Sequence, residues 1–344
     1  MKKTIILGAG ASMDFGFPTG LQLCEAIHSC WNSPSMKYIS FLLTSFARSG
    51  NKFNHIVDPK TEVANDIKRL SKRFYYSGAG SIDEFLSRDL KPFQVSFGKM
   101  TILNLILEKE RESITTISEK KIFRWGENWL RILFGKEFRF KSEKELMGKL
   151  DSNPVRFITF NYDRTLEHFI FNALMNYYNL TREQAFQLYQ KIEIFHVYGK
   201  LAPLEWESKN NEVSLKYGED VSDILQGISD LLYSCVSNIK VIDEDREEEA
   251  NIINKCQHFI IDSDRVYLLG FGFLESNYSL LGIEEYKASC LGKRLPKGKF
   301  IYTTHGLSLS KKGDISKKFA QSDKEVNRAL PYDSKIFDFM EHHY

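Results

Sequence analysis

The sequence predicts an α/β fold, a Rossmann-like parallel sheet flanked by helices and carrying a helical insertion. Three observations predict it. Short apolar runs of strand length occur at Thr4–Leu7, Val155–Phe160, Ile192–Val197, Val266–Leu269 and Phe300–Thr303. Stretches with helical spacing separate the later runs, at Leu166–Tyr178, Ser222–Val236 and Glu247–Ile261, and strands alternating with helices imply parallel pairing through crossovers. The first run passes directly into a glycine turn and then a helix, which makes a βα unit.

Taken in order, Thr4–Leu7 reads as a short buried strand and Gly8–Ser12 as the turn that leaves it. Leu21–Trp31 reads as a helix with Pro18 near its start, where a fixed φ is tolerated. From residue 34 to residue 150 the pattern is mostly helical, with long runs at Met36–Arg48, Phe93–Glu112 and Lys120–Phe134. We read this as an insertion within a single domain of residues 1–344. A chain of 344 residues, 42% hydrophobic, buries a sizeable core. Internal repeats and low-complexity tracts are absent, and the charged runs Asp243–Glu249 and Lys311–Lys324 read as solvated surface.

A net charge of +2 gives no global field that argues for nucleic acid or a membrane as the main partner. Direct nucleic-acid binding is therefore not expected. Cys24, Cys30, Cys235, Cys256 and Cys290 are odd in number and lack a C-x-x-C pair, so neither a disulfide framework nor a zinc knuckle is indicated. A reducing cytoplasm suits them, and the absence of a leader pattern or a long apolar run reads as soluble and unsecreted.

The turn "GAGAS" admits two readings. Gly8 and Gly10 let backbone amides approach a pyrophosphate near a helix N-terminus, but a tight strand-to-helix turn needs glycine in any case. A dehydrogenase fingerprint would place a third glycine at position 13, which is Met13, and an acidic residue roughly 20 positions on. No Asp or Glu lies between Glu25 and Asp58, and the lysine of a Walker loop is missing, so hydride transfer and ATP hydrolysis both lose support. Later, "FNYDRTLEH" puts Asn161 and Asp163 just beyond a strand, either as turn and capping residues or at the sheet edge where ligands bind.

Gly8, Ala9, Gly10, Ser12, Gly16 and Pro18 fit G-A-G-x-S-x-x-x-G-x-P, and Thr159, Asn161 and Asp163 fit T-x-N-x-D. With "GSIDEFL" at Gly80–Leu86, "FHVYGKL" at Phe195–Leu201 and "LLGFGFLESN" at Leu268–Asn277, the chain resembles the sirtuin-like NADase domain family of bacterial anti-phage defence. The likeness spans Thr4 to about Thr303. It implies a domain that takes NAD+ as substrate, without a metal, and breaks the bond between nicotinamide and ribose. Gly8, Ala9, Gly10, Ala11 and Ser12 would hold the diphosphate, with Asp14 and Pro18 beside them. Asn161 would orient the ribose hydroxyls or the attacking water next to Thr159, and Asp163 would hold the carboxamide. Gly270, Phe271 and Gly272 would sit by the adenosine half.

Family members often carry a histidine immediately before the glycine of the third motif, where this chain has Tyr198 before Gly199. His196 stands three positions before that glycine and, in a strand, shares a face with Tyr198, so His196 is either the catalytic base or a structural, hydrogen-bonded residue. The deacylase branch has a four-cysteine zinc module and an acid-Phe-Arg segment where this chain has Thr19, Gly20 and Leu21, so hydrolysis of NAD+ is implied and peptide deacylation is not. Loss of NAD+ would kill the host, so the resemblance also implies control by a homo-oligomer or by a second defence protein such as a DNA-translocating ATPase. The alternative is a non-catalytic subunit that senses NAD or ADP-ribose; a deoxyribosyltransferase-like enzyme is a third reading. Among lesser candidates, Asp14 and Thr19 either touch ribose or cap the helix, Glu84 reads as solvated, and His305 reads as surface. Arg73–Gly78 and the pair Trp125 and Trp129 read as packing, and His342 and His343 are expected to fray.

Overall fold

A computed structural model of the chain describes residues 1–32, 59–113, 128–208, 214–219, 229–241, 246–289, 299–319 and 330–344. The strands β1 (Lys3–Leu7), β2 (Val155–Thr159), β3 (Glu193–His196), β4 (Arg265–Leu269), β5 (Phe300–Thr303) and β6 (Leu330–Tyr332) form one sheet in the order β3-β2-β1-β4-β5-β6. Every pairing is parallel. Helices flank the sheet, so this is an α/β Rossmann-like fold, and its strand order reverses between β1 and β4.

The central strands are legible as unbroken apolar runs because both of their faces are covered. Ile5 and Ile6 of β1, Phe157 and Ile158 of β2, and Val266 and Leu268 of β4 are all fully buried. In register, Leu7 pairs with Thr159 on one side and Leu269 on the other, and Thr159 pairs with His196. The segments that begin at Gly8, Phe160, Val197 and Gly270 therefore leave the sheet side by side at its carboxyl edge.

The five expected strands are present, each within a residue or so of its anticipated bounds. β6 was not anticipated: its sequence is Leu-Pro-Tyr, and Pro331 lacks the donor of an interior strand. Proline is tolerated there because β6 is the sheet's outer strand. The expected helix at Met36–Arg48, positions 120–127 with Trp125, positions 222–228, 242–245 and 320–324, and Cys290 lie outside the described residues.

The described part of the helical insertion shares its core with the first βα unit. Trp31, in the helix Gly20–Asn32, packs its ring 5.6 Å from Phe74, 6.1 Å from Phe85 and 5.7 Å from Phe97, and its Nε1–H donates to Thr101 Oγ1 at 3.0 Å. Ring pairs of this kind contribute about 0.5–1.5 kcal/mol each beyond the area they bury. At the other end the expectation of fraying is corrected. The helix Ile336–His342 buries Phe339 and Met340, and Tyr344 packs 4.6 Å from Tyr267 of β4. His342 and His343 stay exposed on a docked helix end. Among the described residues, no helix is long and apolar enough to cross a membrane.

Candidate functional site

At the carboxyl edge the loop after β1 and the loop after β4 touch backbone to backbone. Gly8 N–H donates to Leu269 O at 3.1 Å and Gly10 N–H to Gly270 O at 3.0 Å, while the Ala11 and Ser12 amides close the turn on Gly8 O and Ala9 O. A Cβ on Gly8 would lie 2.6 Å from Gly270 O, and one on Gly10 2.8 Å from Gly270 Cα. Glycine is thus required here by loop-to-loop contact alone. The turn is followed by two short 3-10 turns, Ala9–Ala11 and Met13–Phe15, and the helix proper begins only at Gly20. Asp14 and Pro18 are half-buried in this connection, and Thr19 exchanges capping bonds with Gln22 at 2.8 and 3.2 Å.

Beyond β2 a polar chain crosses from one loop to the next. Asn161 Nδ2 donates to Gly8 O at 3.1 Å and to Ser12 Oγ at 3.0 Å, and Ser12 Oγ–H donates to Asp163 Oδ2 at 2.8 Å. Asp163 Oδ1 accepts from Thr165 N–H at 3.1 Å, so it also holds the start of the helix Thr165–Tyr178. Asp163 thus fills the turn-capping role read from sequence with one oxygen and makes an inter-loop bond with the other. Burial pushes its carboxyl up from the ordinary range, against the pull of those hydrogen bonds. The Asn161 amide is fixed by its two acceptors, which turns its Oδ1 the other way. That oxygen is buried without a hydrogen-bond partner among the described residues.

His196 is the last residue of β3, and its Nδ1 lies 2.9 Å from Asn161 O and its Nε2 2.6 Å from Glu167 Oε1. A carbonyl only accepts, so Nδ1 donates to it. Burial opposes ionisation of Glu167, but the His196 ring and then Lys200 outweigh it and hold that carboxyl well below its usual range. The strand stops before Tyr198, so strand alternation does not relate the two side chains. They meet the same loop at different points instead. Tyr198 packs on Phe160 and Tyr162 at 5.8 and 6.3 Å, and its hydroxyl donates to Asn277 Oδ1. Gly199 N–H turns back to His196 O at 3.3 Å. On the β4 side, Gly270 N–H donates to Thr303 Oγ1 at 3.0 Å, Phe271 packs 5.2 Å from Phe160, and Gly272 lies open.

The helical insertion grips this edge at three points. Trp129 Nε1–H donates to Ala11 O at 2.9 Å, Arg164 forms a fully buried pair with Glu110 of the helix Pro92–Glu112, and Tyr162 donates its hydroxyl to Asp83 of the short helix Ile82–Leu86. Burial pushes the Asp83 carboxyl up to about 6, against the lowering effect of the Tyr162 bond. A raised carboxyl binds its proton more tightly in the folded state, so its effect favours folding below about pH 4 and is lost as pH rises through 6. That shift corresponds to about 3 kcal/mol. Asp83→Asn keeps an acceptor for Tyr162 without the titration. Urea denaturation at a series of pH values is expected to show wild type losing about 2–3 kcal/mol relative to the variant between pH 4 and 7. A difference that stays flat across that range rules the assignment out.

Ser12, Trp129, Thr159, Asn161, Asp163 and Glu167 line a small cavity of about 10 Å³. Glu167, Tyr162, Asp83 and Asn277 belong to the site's framework; the last two lie inside "GSIDEFL" and "LLGFGFLESN", but none of the four carries a site role in the sequence reading. Glu167 was within reach, because it follows Asp163 by one helical turn in "FNYDRTLEH". Among the lesser candidates, Glu84 accepts from Gly80 N–H and pairs with Arg88, His305 is exposed, and Tyr75 and Tyr76 are exposed while Phe74 is core. Compared with known proteins, the chain matches no family model and no curated protein.

Proposed function

We propose that the chain is an NAD+ glycohydrolase that cleaves NAD+ to nicotinamide and ADP-ribose and acts in anti-phage defence, as the resemblance to sirtuin-like NADases implies. One observation carries the reading. The turn Gly8–Ser12, the pair Asn161 and Asp163, and the loop Gly270–Gly272 are far apart in sequence yet meet beside the reversal of strand order, and this is where open α/β sheets bind dinucleotides. In this reading the turn and Ser12 face the diphosphate, and Asn161 and Asp163 face the nicotinamide ribose. His196 fixes the loop that carries them. Nicotinamide leaves neutral from a cationic ring, so the oxocarbenium-like transition state gains from oriented dipoles and carboxylates more than from a strong acid. Freeing the Gly8 and Gly10 amides for a phosphate requires the loops after β1 and β4 to part, which suits an enzyme held in check until it assembles with itself or with a second defence protein in the cytoplasm.

Nicotinamide release by the purified protein tests this. Asn161→Ala is expected to cut the rate by about a hundredfold or more, the usual effect of removing an oriented polar group from such a site. Undiminished release by that variant refutes the catalytic assignment. A second reading, a subunit that binds NAD or ADP-ribose without cleaving it, draws on Tyr198 standing in the place of the family's histidine with its hydroxyl committed to Asn277, and on His196 having both ring nitrogens turned to protein acceptors. Tight NAD+ binding with no release by wild type, alone or in its assembly, selects it.

A further inference from the structure

Glu167 is buried, yet the protein uses only half of its carboxylate. Oε1 faces His196 Nε2 at 2.6 Å and Lys200 Nζ at 3.6 Å, whereas Oε2 is buried with no hydrogen-bond partner among the described residues. Asn161 is in the same condition, with Nδ2 committed to Gly8 O and Ser12 Oγ and Oδ1 orphaned. Side chains this deeply buried, 1% and 8% exposed, ordinarily find partners for all their polar atoms. Both line the same cavity, and its volume of about 10 Å³ is close to the least that admits one water. A water also needs two or more polar partners, and two unpaired acceptors match its two hydrogens.

We propose that this cavity holds a single water donating to Asn161 Oδ1 and Glu167 Oε2, and that Glu167, rather than His196, takes its proton during hydrolysis. The second half rests on the NAD+ hydrolysis reading. A water that gives both hydrogens to fixed acceptors turns its lone pairs away from them, as a nucleophile must. Its oxygen bonds to C1′ of the nicotinamide ribose as the bond from C1′ to the ring nitrogen breaks. The bonding pair leaves with nicotinamide, which departs neutral. One water proton passes to the Glu167 carboxylate and then to solvent, so NAD+ and water give ADP-ribose, nicotinamide and a proton. His196 is a positioning residue in this scheme. Its Nε2 engages Oε1 at 2.6 Å, and that leaves Oε2 for the water.

A crystal structure of the full chain, at a resolution that shows ordered solvent, tests the water directly. A peak within hydrogen-bond distance of both Asn161 Oδ1 and Glu167 Oε2 is expected, and an empty cavity, or protein donors on those atoms, overturns the proposal. For the proton, Glu167→Gln is expected to lower kcat by about a hundredfold or more, with the calorimetric affinity for NAD+ changed by less than about threefold. Azide, which attacks without surrendering a proton, is expected to restore nicotinamide release to Glu167→Ala, an effect that a purely structural role would not produce. Equal kcat in wild type and Glu167→Gln, or no rescue by azide, removes Glu167 as the base and leaves the hydrolysis reading standing. A wild-type protein that releases no nicotinamide ends the base role together with that reading, and the density then decides the water alone.

Discussion

Glu110→Ala is expected to destabilise the protein by about 3–5 kcal/mol, the cost of leaving one member of a buried ion pair alone. Both side chains are fully buried. Glu110 Oε1 accepts from Arg164 Nε at 3.0 Å and from the Arg164 backbone N–H at 3.1 Å, and Oε2 accepts from the second guanidinium arm at 2.5 Å. The three remaining guanidinium hydrogens go to Leu215 O at 2.9 Å, Lys216 O at 3.1 Å and Ala202 O at 3.4 Å. One arginine therefore joins the helix Pro92–Glu112, the loop after β2 and the segment 214–219. Without the carboxylate, the guanidinium stays in the interior with carbonyls as its hydrogen-bond partners among the described residues, and its charge loses its paired anion. Glu110→Gln keeps an acceptor and should cost less. The double variant Glu110→Leu with Arg164→Met should recover much of the loss, because paired buried charges are replaced by apolar volume at little net cost. Equilibrium unfolding in urea with an unchanged m-value checks all three. A single-variant loss under about 1 kcal/mol would mean that water reaches the pair and screens it.

That pair marks the boundary of what the sequence discloses. Strand positions were legible because burial on both faces writes an unbroken apolar run such as Ile5–Leu7 or Val266–Leu269. The glycine turn and the Asn161–Asp163 step were legible because local backbone chemistry demands those residue types. Contacts between distant segments leave no such trace. Glu110 and Arg164 are 54 positions apart, Asp83 and Tyr162 are 79 apart, and Trp129 and Ala11 are 118 apart, so no periodicity connects them. Arg164 and Glu110 look like surface charges in sequence, since such residues are rarely buried unless paired. β6 was hidden by its proline, and Glu167, though one turn beyond Asp163, sits in a helix whose charged residues ordinarily face water. The strand order 3-2-1-4-5-6 also had to be observed. The helical alternation implied a parallel sheet, but only the pairing shows which loops share an edge.

The same geometry accounts for the inward-facing glycines. Had the amides of Gly8 and Gly10 pointed to solvent, the turn would be an open anion site, and glycine would be needed for close approach of a ligand. Here the approaching group is the backbone of the loop after β4. The two uses are compatible, because a backbone that admits another backbone at van der Waals distance also admits a phosphate once that neighbour withdraws. On the NAD+ reading, the stability of the contact would set how readily the edge opens.

Gly270→Ala is expected to break that contact, and it isolates the contact better than any change to a side chain. Gly270 has φ +59°, and a Cβ there would lie 2.2 Å from Ala11 N and 2.4 Å from Gly10 C. The left-handed conformation costs alanine about 1–2 kcal/mol. The clash is with backbone, which has no rotamer to change, and overpacking of a tight site adds about 1–3 kcal/mol. A combined loss of about 2–5 kcal/mol follows, unless the loops after β1 and β4 separate to relieve it. Gly272→Ala is the matched control two residues on, where φ is not positive and nothing lies within 4 Å of the new methyl. It should change stability by no more than about 0.5 kcal/mol. Urea unfolding of both variants distinguishes a specific contact from a general intolerance of the loop, and equal stability in the two would show that the backbone contact between Gly10 and Gly270 is not what holds this edge closed. If separation of the loops relieves the clash instead, the freed Gly8 and Gly10 amides should raise the affinity for NAD+ in Gly270→Ala relative to wild type, which calorimetry on the folded proteins measures directly.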